Sequence, residues 1–323
     1  RAGRHRHRRG ARPHTGRTVT TTLTAEPAVL DLGGTRASTL PTAPTFPAHS
    51  SAPTLVTNSP SPWSTSSPIQ RRCTVTASLC ATTWTAPPRP PPNVEPGGNF
   101  TYRFSVPHPG TYWAHPHTGL DADRGLYLPL IVDDPDEPGD YDAEWIVVLD
   151  DWTDGIGKTP EQIWSDLSGS GSGAHDDMPG MGAMPTMEAW APARCSAGTP
   201  GDVNYPPYSL INGRIPPSAA TVFTARPGQR IRLRIINAGS DTAFRVALAG
   251  HSMTVTHTDG YPVVPADVDA LLLGMGERYD AIITAGDGVF ALVAMPEGKN
   301  GLARALLSTG AGTGPTPDIS HPR

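Results

Sequence analysis

Charge is scarce in this chain. Asp, Glu, Lys and Arg make up 17% of its 323 residues, and the formal net charge is -5. A nucleic-acid partner calls for a basic surface, and this balance does not supply one in bulk. Cysteine is scarcer still: Cys73, Cys80 and Cys195 are too few and too irregularly spaced for a disulfide framework or a zinc cage. No apolar run is long enough to span a bilayer. Proline (37) and glycine (34) are abundant instead, which suits an all-β protein with many turns. At this length two domains are expected, each able to bury its own core. The chain opens on Arg1 rather than Met, so an earlier start is expected. The basic run Arg4 to Arg9 lacks the apolar stretch of an export signal, and residues 1–17 read as a solvated tail.

The most informative text is Gly110-Thr111-Tyr112-Trp113-Ala114-His115-Pro116-His117-Thr118-Gly119-Leu120, followed by Asp123-Arg124-Gly125-Leu126-Tyr127. It sets two imidazoles two residues apart at the end of a strand-like run. In an extended chain residues i and i+2 point the same way, so both rings face one surface. Two convergent imidazoles are half of a transition-metal site. Spacing alone does not separate such a site from a pair of surface histidines, but the flanks add to it. Pro96-Gly97-Gly98, Tyr102-Arg103-Phe104, Gly110-Thr111-Tyr112-Trp113 and Arg124 through Val132 closely resemble the first cupredoxin domain of multicopper oxidases. The resemblance implies that His115 and His117 bind the type 3 copper pair of a trinuclear copper cluster.

Residues 141–310 read as short strands separated by turns, as in a β-sandwich. Trp145 to Asp151 has the length of a buried strand. Ile231-Arg232-Leu233-Arg234-Ile235 alternates with period two, as a half-buried strand does. Val246–Leu248, Met253–Val255, Tyr279–Ile283 and Phe290–Ala294 are further strands, and Pro227-Gly228, Asp259-Gly260 and Asp287-Gly288 supply turns. Ser209 to Arg214, Pro227 to Asn237, His257-Thr258-Asp259-Gly260 and Gly274 to Asp280 resemble the middle domain of three-domain multicopper oxidases, which carries no copper. His251 and His257 are therefore expected to pack or hydrogen-bond rather than bind metal. Glu277, Arg278 and Asp280 are expected to hold a corner by ion pairs. A Gly/Ser-rich loop, Ser168 to Gly173, leads into a segment with Met178, Met181, Met184 and Met187. Thioethers suit Cu(I), so this 168–190 region is either a cuprous-ion trap or an adaptable filler.

Residues 36–92 contain no Gly, Asp, Glu or Lys and are dominated by Ser, Thr, Pro and Ala. At face value that is a disordered linker. Yet it interrupts an N-terminal domain (residues 18–140) whose opening strands Val19–Leu23 and Val29–Gly34 look ordinary and whose resemblance resumes at Asn93. A shifted reading frame is the alternative to a natural linker. Regrouping the codons of Arg72 through Ala86 two bases later permits Leu-His-Cys-His-Gly-Leu-Ala-Leu-Arg-Asn-Asp-Met-Asp-Gly. This resembles the family's first copper motif, His-Trp-His-Gly.

The expected fold is all-β: tandem cupredoxin-like Greek-key β-sandwiches, the first incomplete. The family oxidises phenols or metal ions with copper as cofactor and reduces dioxygen to water. Its blue type 1 site needs a Cys thiolate and two His, within a His-Cys-His that does not occur here. Residues 311–323 read as a tail toward a third domain, so a fragment inactive by itself is expected. The alternative is a non-enzymatic copper-binding module. Export from the cytoplasm is expected from the resemblance, with copper ions, dioxygen and a phenolic or metal-ion substrate as partners.

Overall fold

The computed structural model describes residues 18–23, 28–32, 36–39, 73–76, 100–105, 109–116, 120–125, 127–134, 140–171, 208–215 and 220–310. In the N-terminal region β1 (Thr18–Leu23) pairs antiparallel with β5 (Phe100–Ser105), and β2 (Ala28–Asp31) with β3 (Arg36–Thr39). A third sheet places β6 (Gly110–Pro116) between β4 (Cys73–Thr76) and β7 (Leu128–Val132). Two of these strands, β3 and β4, lie inside the stretch that composition alone marks as foreign. Strand β4 sets Thr74 opposite His115 and Thr76 opposite Trp113.

The second region is a sandwich of two sheets. In one, β8 (Ala143–Trp152) lies between β9 (Tyr208–Ile211) and β11 (Arg230–Asn237), and the sheet continues through β16 (Arg278–Thr284), β13 (Met253–Thr258) and β14 (Tyr261–Val268). The other runs β10 (Thr221–Thr224), β18 (Ala303–Ser308), β17 (Val289–Pro296), β12 (Phe244–Leu248), β15 (Leu271–Leu273). The parallel pairs β8–β11 and β10–β18 are crossovers in an otherwise antiparallel architecture. Alternation explains the core. Phe244, Val246 and Leu248 from one sheet and Ile231, Leu233 and Ile235 from the other are buried together. Each such side chain contributes about 1.5–3 kcal/mol on leaving water.

The sequence expectation holds for the sandwich and its turns and fails at two places. Strand β11 is not half-buried: Arg232 and Arg234 are as dry as its isoleucines, at 2% and 1% exposure. The face that alternation assigns to water is covered by β6. Second, residues 160–171 form a helix, α1 (Pro160–Gly171), so the expected Ser168–Gly173 loop is helical up to Gly171. A capping box starts it: Thr159 Oγ1 accepts the Gln162 N–H at 3.2 Å, and Gln162 Oε1 accepts the Thr159 N–H at 2.9 Å. Pro160 at the first helical position adds a second start signal. Edge strand β14 exposes Val263 and Val264. Pro262 and Pro265 lie along it, and proline offers no N–H to a further strand, which guards such an edge against pairing.

Candidate metal centre

Residues of one parity on β6 share a face, so Thr111, Trp113 and His115 point the same way. Each finds a different support, and much of it comes from the second sandwich. Thr111 is clamped. Its hydroxyl donates to Asp280 Oδ1 at 2.6 Å and accepts from Arg234 Nη1 at 3.0 Å, while its carbonyl accepts from Arg278 Nε at 3.2 Å. Asp280 Oδ2 in turn accepts from Arg232 Nη2 at 2.6 Å and from Arg234 Nη1 at 3.2 Å. Arg234 also pairs with Glu144. Burial pushes the Glu144 carboxyl up, but the hydrogen bond and charge of Arg234 outweigh it and hold the group below the usual range. Buried charges survive only when paired and hydrogen-bonded, and this set satisfies both conditions.

Trp113 lies between the candidate ligand and the interior. Its indole stacks on the His115 imidazole, with centroids 4.3 Å apart and planes 20° apart. Its other neighbour is Tyr127, edge-on at 6.4 Å. Trp113 and Tyr127 share a buried cluster with Val148, Ile236 and Ala238. The Tyr127 hydroxyl donates to Asp150 Oδ2 at 2.6 Å. Burial raises both groups well above their ordinary values, and Asp151 next door raises Asp150 further. Asp151 is raised by burial too, against the hydrogen bonds of Thr242 and of the backbone at Ser240 and Asp241.

A 3-10 turn at Asp121–Arg124 carries a second set of contacts to the sandwich. Arg124 pairs with Asp154 at 3.2 Å and with Glu161 of α1, and Asp123 accepts from the Ser240 hydroxyl. Burial pushes Asp123 up to about 6, opposed by the Ser240 hydrogen bond and reinforced by Asp151. A carboxyl raised in the fold stabilises it in the protonated form. Its contribution is complete below the unfolded value of 3.8 and is lost as pH rises through about 6. Asp123→Asn removes that loss. From about pH 4 to pH 7 the variant gains on the wild type by up to about 3 kcal/mol in denaturant titrations; parallel curves would refute the assignment.

Both histidines of the sandwich make hydrogen bonds. His251 Nε2 accepts the Gly286 N–H at 3.0 Å, which leaves Nδ1 to donate to the Ala249 carbonyl at 2.8 Å. His257 Nδ1 lies 3.1 Å from Thr256 Oγ1 and 3.4 Å from Arg232 Nη2. Arg278 pairs with Asp259 at 3.1 Å and Asp280 with the two buried arginines, as the corner reading anticipates. Glu277 differs: its Oε2 accepts the Gly274 N–H at 2.6 Å and closes a turn. The Thr111 clamp and the Tyr127–Asp150 pair had no local sequence signal, because their partners are far apart in the chain.

His117 and the Met178–Met187 segment lie outside the described residues, as do Cys80 and Cys195. Among the described residues no group of three or more His, Cys, Asp or Glu is arranged to hold a metal ion. His115 is a partly buried imidazole at the end of a rigidly held strand. Nitrogen donors of this kind suit copper, so the described half of the pair fits the metal that the resemblance implies. One imidazole does not make a complete site.

Comparisons agree with this picture. Residues 143–312 and residues 86–137 match two family profiles, each described as "Multicopper oxidase". Multicopper oxidase MmcO of Mycobacterium tuberculosis is 57% identical over 318 residues, which is 96% of this chain and 60% of that protein. A copper resistance protein A homolog of Pseudomonas syringae pv. tomato is 32% identical over 234 residues, 68% of this chain and 39% of that protein. This chain thus spans less than two thirds of the length of either relative. Among solved structures, Fet3p, titled a multicopper oxidase that functions in iron import, superposes with TM-score 0.65 at 18% identity, covering 93% of this chain and 54% of that one. A laccase from Botrytis aclada superposes with TM-score 0.66 at 21% identity, covering 93% and 55%. The fold is that of tandem cupredoxin-like domains.

Proposed function

This chain belongs to the multicopper oxidase family, and from that membership we propose that His115 and His117 are copper ligands of a type 3 pair. The observation that carries the reading is the seating of His115. Strand β6 is held at Thr111 by the buried ion network, and the His115 ring is held by Trp113. Copper at such a pair supplies one-electron redox chemistry and a place for dioxygen. The chain's own residues fix the imidazole and keep water from the strand behind it. The reaction class is oxidation of a phenol or a metal ion with dioxygen reduced to water. Names of relatives and neighbours, copper resistance and iron import among them, support a metal-ion substrate; laccases support a phenolic one. Export from the cytoplasm belongs to the same reading. No helix among the described residues is long and apolar enough to cross a membrane.

Residues 1–323 alone are proposed to lack oxidase turnover, because the sequence has no His-Cys-His for a type 1 copper. The shifted frame in 36–92 is part of the same proposal, and the fold supports it. In the regrouped reading the two histidines fall at Cys73–Thr74 and Val75–Thr76, on β4, which pairs with the His115 strand. The DNA encoding residues 30–95 tests it: an unbroken frame shared with near relatives would end the idea.

For the ligands, titration with Cu(II) is decisive. His115→Ala and His117→Ala each weaken binding roughly tenfold or more, since even outer-sphere changes cost that much at metal sites. Unchanged affinity in both variants would overturn the assignment. No oxygen consumption on a phenol or cuprous ion is the expected behaviour of this polypeptide alone; tight copper binding without it would favour the alternative, a non-enzymatic copper-binding module.

A further inference from the structure

We propose that Asn300 is a site of spontaneous deamidation, its carboxamide becoming a carboxylate through a succinimide closed by the Gly301 nitrogen. The inference is independent of the copper reading.

The chemistry needs an asparagine side chain free to turn onto the nitrogen of the next residue. It also needs a next residue that leaves that nitrogen open, and glycine does so because it has no Cβ. Asn-Gly occurs at Asn212-Gly213 and at Asn300-Gly301, and the fold treats the two pairs in opposite ways. Asn212 is pinned to strand β8. Its Oδ1 accepts the Val148 N–H at 2.8 Å, its Nδ2 donates to the Ile146 carbonyl at 3.0 Å, and its own N–H donates to the Val148 carbonyl at 2.8 Å. Gly213 is buried. This pair reacts only after local opening has broken those bonds.

Asn300 and Gly301 lie in the turn between β17 and β18, and both are exposed. Neither the Asn300 carboxamide nor the Gly301 N–H has a hydrogen-bond partner among the described residues. The carboxamide is therefore free to turn, and the attacking nitrogen is tethered beside it, which gives ring closure the advantage of an intramolecular reaction.

The steps balance. A base in solution removes the Gly301 amide proton, and the nitrogen attacks Asn300 Cγ. The Cγ–Nδ2 bond breaks and ammonia leaves with a proton taken from water. Water then opens the succinimide. Cleavage at Cγ gives an aspartyl residue at position 300, and cleavage at the main-chain carbonyl gives an isoaspartyl residue. One water is consumed and one ammonia released, with no change of oxidation state.

The turn is tied to the interior by the residue before it. Lys299 Nζ donates to the Asp241 carbonyl at 2.8 Å, to Asp241 Oδ2 at 2.7 Å and to Thr242 Oγ1 at 3.0 Å. The Thr242 hydroxyl donates in turn to Asp151 at 2.6 Å. An isoaspartyl linkage adds a methylene to the main chain directly after Lys299, so it pulls on this brace, whereas the aspartyl product adds only charge.

The test holds the full chain in warm, mildly alkaline buffer for days and maps its peptides by mass after acidic digestion. Position 300 is expected to gain the amide-to-acid mass shift about tenfold or more faster than position 212, which must first give up its hydrogen bonds. In denaturing urea the two rates should converge, and Asn300→Gln should remove the modification at 300 without changing the rate at 212. The isoaspartyl fraction, separated by ion exchange, should unfold at a lower urea concentration than Asn300→Asp, which carries the charge without the longer backbone. Equal rates at 212 and 300 in the native chain, or no reaction at 300, would overturn the site. Equal urea midpoints for the isoaspartyl fraction and Asn300→Asp would overturn its effect on the Lys299 brace.

Discussion

Asp280→Asn is expected to lower the stability of the folded chain by about 3–5 kcal/mol, the range for removing one partner of a buried ion pair. Asp280 accepts from Arg232, Arg234 and Thr111 at once. Removing its charge takes the nearest carboxylate from both guanidinium groups in a dry interface, while Arg234 keeps Glu144. The attraction within the intact set is not the main term; the uncompensated charge left behind is. Arg245→Ala provides the contrast. Arg245 pairs with Glu297 at 3.0 Å, but both partners are substantially exposed. Exposed pairs of that kind are worth less than about 1 kcal/mol. Urea titrations of both variants should differ several-fold in effect. Equal losses would mean that the Asp280 cluster is wetter than the structure shows.

Gly260→Ala and Gly110→Ala are expected to break the seam between the N-terminal strands and the sandwich. A Cβ on Gly260 would stand 2.7 and 2.8 Å from ring carbons of Tyr112 and 2.9 Å from its hydroxyl oxygen, at φ +86°. A Cβ on Gly110 would stand 2.6 Å from the Gly260 carbonyl oxygen. Overpacking costs about 1–3 kcal/mol, and a left-handed backbone adds about 1 kcal/mol for an alanine. The two sites differ in what can yield. Gly260→Ala meets a side chain, so adding Tyr112→Ala should restore part of the lost stability. Gly110→Ala meets backbone, so the same second change should restore none. Limited proteolysis at residues 133–142 alongside the denaturation curves would show whether the seam opens before the sandwich unfolds. Rescue of both variants, or of neither, would contradict the contact geometry.

Local patterns in the sequence account for most of the sandwich. Val246–Leu248 and Met253–Val255 are legible as strands, and in each the alternate residues Val246, Leu248, Met253 and Val255 meet the core. The same alternation misreads Arg230–Asn237. Alternating arginines normally mean solvent, but Asp280, 46 residues on, Glu144 and Thr111 of the other region let Arg234 be a buried residue. Helix α1 carried its start signal in plain view at Thr159-Pro160-Glu161-Gln162, but a chain read as all strands gives such a signal little weight. At the candidate site, the two imidazoles and their shared face follow from spacing. Their support does not. The stacking of Trp113 on His115 follows from the strand, whereas the Tyr127–Asp150 bond and the Arg278 contact to the Thr111 carbonyl come from pairings that no local window contains.

Strand β6 takes much of its placement from the sandwich and from β7, and only one edge of it depends on the compositionally foreign stretch. That division makes the molecule tolerant of damage in an uneven way. Rewriting residues 36–92 disturbs one neighbour of the His115 strand and leaves its clamp, its stacking partner and its dry backing intact. If the proposed frame shift holds, a chain carrying the first copper motif in its proper frame would meet the His115 strand already seated, and no compensating change in the sandwich is expected.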